Sequence, residues 1–264
     1  FSRRKDVDGE PPPKQPIVLK KIRPTIQRTI IVLYNSFMRI TKSQLPNKSR
    51  FIVIGDVHGC LFELQQLLQK CEYQPDTDAL VFVGDLVGKG PNSLGVLEFA
   101  KKQQALVVMG NHDLSLLKHL RGDPTGRKEW DRLIEEMGSR KGEWMNYIQS
   151  WPKYIEFDDF IVVHAGMVPE QTLEETSIDV LCTIRTWDGK GIDLNRPGQD
   201  PPWYELYKGA KPVIYGHWAL QGLHVTQHTV GLDSGCVYGG KLSAWVNTTG
   251  EILQVSAKKA YRPV

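Results

Sequence analysis

The chain is poor in cysteine. Cys60, Cys71, Cys182 and Cys236 are the only four among 264 residues, and no two of them form a CxxC pair. That argues against a disulfide framework and for free thiols in a cytoplasmic or other reducing intracellular compartment. No apolar run approaches 18 residues, so nothing is expected to span a membrane. There is no signal-peptide pattern at the start and no initiator Met. Phe1 therefore reads as the start of a fragment, with any targeting signal lying upstream. Internal repeats are absent too. Acidic residues are scarce at the front: residues 1–50 hold 3 Asp and Glu against 12 Lys and Arg, a net of +9. Residues 51–264 hold 27 against 21, a net of −6, so the total of +3 conceals a basic lead and an acidic body. Such asymmetry points to an acidic partner for the lead: nucleic acid, phospholipid or polyphosphate.

What is present suffices for a folded domain. A hydrophobic share of 41% over this length excludes wholesale disorder and supports a core that needs no covalent staples. Residues 1–16 are polar and proline-rich, as in an arm or linker. Over 22–40, Ile22, Ile26, Ile30, Leu33, Tyr34 and Phe37 recur at helical spacing. This predicts an amphipathic helix that packs on the main domain or lies on RNA or a membrane surface. The domain boundaries follow: a basic arm and helix over 1–50, then a catalytic domain over 51–264.

From Phe51 the pattern changes. FIVIG (51–55), ALVFVG (79–84), ALVVMG (105–110), IVVHAG (161–166) and VIYGH (213–217) read as buried strands. Helical spacing marks 61–70, 93–103, 113–121, 129–137 and 142–150, and short strands follow Val225. Strand–helix alternation with a strand-rich tail predicts a layered α/β fold.

The polar residues stand where these strands end: Asp56 and His58, Asp85, Asn111-His112-Asp113, His164 and His217. Open α/β sheets gather their ligands beyond the carboxyl ends of strands. Carboxylate, imidazole and amide oxygen together suit divalent metals. Two metals need a shared carboxylate and would clamp both oxygens of a phosphoryl transfer. The count fits, with Asp56 and His58 on one metal, Asp85 bridging, and Asn111, His164 and His217 on the other. His112 is left as general acid. Any one loop alone is ordinary turn chemistry; five in order are not. His119, His224 and His228 lack such context and read as surface or core residues.

The ordered set GDVHG, GDLVGKG, GNHD, HAG and GH resembles the phosphoprotein phosphatase superfamily of metallophosphoesterases, from about Phe51 to Val255. The resemblance implies a two-layer β-sandwich flanked by helices, a dinuclear centre of Mn, Fe, Zn or Mg on the six ligands above, and His112 as proton donor. It also implies in-line attack by a metal-bridging hydroxide. The protein-phosphatase branch has an Asp at Gly88 that orients the histidine, an Arg at Lys89, and a Glu at Asp113. These departures, with HAGMVP and GLDSGCVYGGKLSA, resemble the ApaH-like phosphatases. Bacterial members split diadenosine tetraphosphate; eukaryotic ones include a polyphosphatase and the kinetoplastid mRNA-decapping enzyme. Lys89 and Arg185 are the candidate phosphate cations, with Asp113 a further catalytic candidate. The tail GLDSGCVYGG reads as a glycine-rich hairpin, from which Asp233 or Tyr238 would face the site. Trp187, Trp203, Tyr204 and Trp218 are candidates to stack a base or cap.

The expected function is hydrolysis of a phosphoanhydride in an mRNA 5′ cap or a dinucleoside polyphosphate, with RNA contact through the basic lead. Alternatives are an inorganic polyphosphatase, a Ser/Thr protein phosphatase, and a catalytically dead binding module.

Overall fold

The computed structural model describes residues 48–123 and 128–263. The basic arm and the helix expected over 22–40 lie outside them. Among the described residues ten strands form: β1 (Arg50–Ile54), β2 (Asp78–Phe82), β3 (Leu106–Val107), β4 (Tyr154–Glu156), β5 (Ile161–Val163), β6 (Val213–Tyr215), β7 (His224–Val225), β8 (Thr229–Gly231), β9 (Lys241–Val246) and β10 (Ile252–Ser256). They make two mixed sheets of five, ordered β10-β9-β1-β2-β3 and β4-β5-β6-β8-β7. Among the described residues the helices α1 (Leu61–Lys70), α2 (Ser93–Lys102), α3 (Asn111–Leu120), α4 (Asp131–Met137) and α5 (Lys141–Gln149) precede two single turns, α6 (Ile178–Leu181) and α7 (Trp203–Leu206).

The period of two along each strand explains the layering. Phe51, Val53 and Val81 meet Phe157, Phe160, Val162 and Ile214 in a core between the sheets. Their neighbours Ile52, Ile54, Leu80 and Phe82 point the other way, into a core shared with α1 to α5. On the far side, Val163, Val213 and Tyr215 pack under Leu181 and Trp203. Both faces of the central strands are covered, which is why their sequences read as unbroken apolar runs. The result is the expected two-layer sandwich flanked by helices.

Several strands stop earlier than their apolar runs predict, each for a hydrogen-bonding reason. After β3, Val108 N still donates to Phe82 O, but Met109 N turns to Pro152 O. After β5, Ala165 N donates to Leu181 O. Pro202 stands immediately before α7. The hairpin expected at GLDSGCVYGG does not form. Its flanking strands, β8 and β9, belong to different sheets, and the segment crosses between them through a 3-10 turn (Cys236–Tyr238) bracketed by left-handed Gly235 and Gly239.

All four cysteines are free and buried. Burial pushes the Cys71 thiol up to about 11. No thiol is therefore expected to react with Ellman's reagent within minutes in the native protein, and all four after denaturation. A fast-reacting native thiol would contradict this burial. Among the described residues no helix is long and apolar enough to cross a membrane.

Candidate metal centre

The loops after β1, β2, β3, β5 and β6 converge at one end of the two sheets. Their close approach needs glycine. A Cβ on Gly216 would stand 2.0 Å from Asp56 Oδ1, and one on Gly110 would stand 2.3 Å from Asp85 N and Oδ1. His58, Asp85 and His217 adopt positive φ (46°, 51° and 70°), an uncommon conformation for such residues that the surrounding contacts must hold in place.

Asp85 sits at the centre. Its Oδ2 lies 3.5 Å from His58 Nε2 and 3.6 Å from His164 Nε2, while Oδ1 accepts from His112 N (2.8 Å) at the start of α3. Asp56 joins Asp85 and His164 in one group of donor atoms, all within 4.8 Å of one another; His58, Asp85 and His112 form a second. Asp56 accepts from His217 N at 3.1 and 3.2 Å. Asn111 Oδ1 stands 3.0 Å from His164 Nε2 and 2.9 Å from His217 Nδ1. All six expected metal ligands are thus brought together, with Asp85 between the two groups.

The donor chemistry fits divalent cations. His58 Nδ1 faces Val87 O (3.0 Å) and His164 Nδ1 faces Val83 O (2.8 Å). A carbonyl only accepts, so each Nδ1 carries the proton and each Nε2 presents a lone pair. Burial holds the rings neutral, with His58 and His217 pushed well below the usual range and His164 down to about 4. Lone pairs therefore face the Asp85 and Asn111 oxygens, acceptor against acceptor, an arrangement that a cation resolves. Burial also raises Asp56 strongly, helped by neighbouring Asp233 and Asp85, and lifts Asp85 to about 7. Lys89 Nζ, 3.0 Å from His58 Nε2, already brings one positive charge to the cluster.

Asp113 is fully buried and gives both carboxylate oxygens to backbone. Oδ2 accepts from Asp85 N (2.7 Å) and Gly110 N (3.2 Å); Oδ1 accepts from Leu86 N (3.1 Å) and Val87 N (3.4 Å). Asp113 thus clamps the Asp85 loop onto the start of α3. At position 88, a side chain would meet Trp130 Cη2 at 2.9 Å and His112 Nδ1 at 3.1 Å. The His112 ring stands edge-on to His58 (centroids 4.9 Å) and to Trp130 (6.1 Å). Aromatic packing occupies the place where the resembling branch uses an orienting Asp.

Asp85, Asn111, His112 and His217 line a cleft of about 950 Å³, a size suited to a nucleotide. Lys89, Arg185, Asp233, Trp218 and Tyr238 line it. Arg185 makes no salt bridge among the described residues; its Nη1 donates to Asn195 Oδ1 (3.0 Å). Asp233 and Tyr238 both face the site. Of the four aromatic candidates only Trp218 lines the cleft. Trp203 is wholly buried, donating to Ala165 O (3.1 Å). Trp187 packs in the outer core, and Tyr204 stacks on Tyr215. Arg262, unremarkable in the sequence, also lines the cleft; it follows the last strand and carries no motif signal.

Residues 49–221 match the calcineurin-like phosphoesterase family. The chain belongs to that family. It is 31% identical to the symmetrical bis(5'-nucleosyl)-tetraphosphatase of Dechloromonas aromatica (strain RCB), over 76% of this chain and 94% of that protein. It is 30% identical to the Chromobacterium violaceum protein of the same name, over 72% and 89%. A solved structure provisionally described as a diadenosine tetraphosphatase superposes with a TM-score of 0.72 at 34% identity, covering 81% of this chain and 96% of that one. The chain is therefore an ApaH-like metallophosphoesterase, a hydrolase with a metal-binding donor set.

Proposed function

We propose that the chain hydrolyses the phosphoanhydride of dinucleoside polyphosphates, within a catalytic domain over 51–264. The observation that carries this reading is one cleft holding three elements together: Asp85, Asn111 and His217 of the six-donor cluster, the cations Lys89 and Arg185, and the half-buried Trp218. A dead binding module would not keep every donor in place. Asp56 and His58 would hold one divalent ion, Asn111, His164 and His217 the other, and Asp85 both. When bound, the metals lower the pKa of water and neutralise phosphate charge. Lys89 and Arg185 hold non-bridging oxygens, and His112 protonates the leaving phosphate. Asp113 acts through Asp85 as a positioning residue. Trp218 stacks one base.

Capped RNA carries the same kind of 5′–5′ anhydride, and the +9 lead favours it as a second substrate by attracting phosphate backbone. Polyphosphate and phosphopeptides lack a base for Trp218. The test is a panel of diadenosine tetraphosphate, capped RNA, long-chain polyphosphate and phosphopeptide, each with Mn, Fe, Zn or Mg. Dinucleoside tetraphosphate is expected to be turned over fastest. Trp218→Ala is expected to raise KM for it about tenfold while polyphosphate hydrolysis changes little. Faster turnover of polyphosphate or phosphopeptide would overturn the reading.

A further inference from the structure

Beside the metal cleft lies a second, smaller hollow of about 240 Å³, floored by Gly88 and Trp130 and rimmed by α4. Lys89 and Arg262 line both cavities, which therefore adjoin one another there. Arg262 is held there by a built anchor. Glu63, a wholly buried residue of α1, accepts from Tyr261 OH (2.8 Å) and Lys258 N (3.0 Å). Tyr261 N and Arg262 N both donate to Val237 O. The backbone at 262 is therefore fixed, while its guanidinium is exposed and unpaired among the described residues. A buried carboxylate is costly unless well satisfied. Here its bonded oxygen is devoted to seating the segment after β10 that presents Arg262.

Charge falls off along the hollow. At the junction Lys89 and Arg262 are both cationic. Beyond it Arg132 is paired with Glu136 (2.9 Å), and Glu129 adds a carboxylate. A polyphosphate would favour the junction and gain little further in. An uncharged sugar and base, with donors and acceptors of both kinds, suit the inner part.

We infer that this hollow receives the second nucleoside of a dinucleoside polyphosphate, with Arg262 holding the phosphates that lead to it. The inference rests on the function proposed above and extends it: the first nucleoside lies by Trp218, the scissile anhydride over the metal cluster, and the second nucleoside past Lys89 and Arg262. Substrates with two nucleosides would then be preferred over those with one.

Two variants of the metal-loaded full chain test this on diadenosine tetraphosphate and adenosine 5′-tetraphosphate. Glu136→Trp fills the hollow from an exposed helix surface. It is expected to raise KM for the two-nucleoside substrate about tenfold and to move KM for the one-nucleoside substrate less than about twofold. Arg262→Gln is expected to raise KM for both, with kcat changed far less, and Arg262→Lys to recover part of the loss. If Glu136→Trp moves both substrates equally or neither, or if Arg262→Gln lowers kcat alone, the hollow is not a subsite. Wild-type protein that hydrolyses neither substrate would remove the functional reading and the subsite with it. Hydrolysis by wild type with unchanged KM in both variants would remove the subsite only.

Discussion

Asp85→Asn is expected to lower turnover about a thousandfold or more on every substrate, equivalent to some 4 kcal/mol of barrier. Bound metal, measured by elemental analysis, should fall from two ions per chain to one or fewer. The reason lies in one atom. Asp85 Oδ2 lies 3.5–3.6 Å from both His58 Nε2 and His164 Nε2, and no other carboxylate oxygen shows this double placement among the described residues. An amide at 85 removes the anion. Its NH2 would also donate to the imidazole lone pairs and occupy the place of the cations. The fold should persist, because Asp113 still holds the backbone N of residue 85. Intact turnover in this variant would refute the dinuclear mechanism. The same burial that lifts Asp85 to about 7 sets a pH dependence in the wild type. The metal needs the ionised carboxylate, so protons compete as pH falls, and metal affinity should weaken below about pH 7 and recover above it.

The second large effect is one of stability. Asp113→Ala is expected to destabilise the domain by about 3–5 kcal/mol, seen as a lower urea midpoint. It strips the acceptor from the N–H groups of Asp85, Leu86, Val87 and Gly110, all buried. Each unsatisfied buried donor costs about 1–3 kcal/mol, and relaxation recovers part of the sum. Activity should fall as well, since Asp85 holds a left-handed backbone (φ 51°) that this clamp supports. Asp113→Asn, which keeps one acceptor oxygen, should lose less. An unfolding midpoint unmoved by Asp113→Ala would show that the loop is held by something else.

Much of the site was legible because its chemistry is local. Each metal-ligand candidate follows an apolar run within a few residues, and glycine beside it marks the tight turn. Asp56, His58, Asp85, Asn111, His164 and His217 could be picked out in this way, and the structure gathers all six. Residues that act across long sequence separations left weaker traces. Asp113 looks like one more polar residue in GNHD; its partners, 85–87, are nearly thirty positions away. Trp203 and Trp218 are indistinguishable as letters, yet one fills the outer core against Gly166 and the other edges the cleft. The hairpin expected at 231–240 failed because glycine and turn residues signal a reversal but not which sheet the next strand joins.

The sequence by itself determined the alternation of the main strands and helices, the two-faced burial of the central strands and the six candidate donors. Alternation and residue type set these, and both are written along the chain. Only the tertiary structure decided which oxygen of Asp85 meets both histidines and which protons the buried histidines keep. It also decided which rings pack against His112, and that Arg262 lines both the cleft and the hollow beside it. Those outcomes depend on how loops from five strands pack against one another, and on the low polarity that their packing creates.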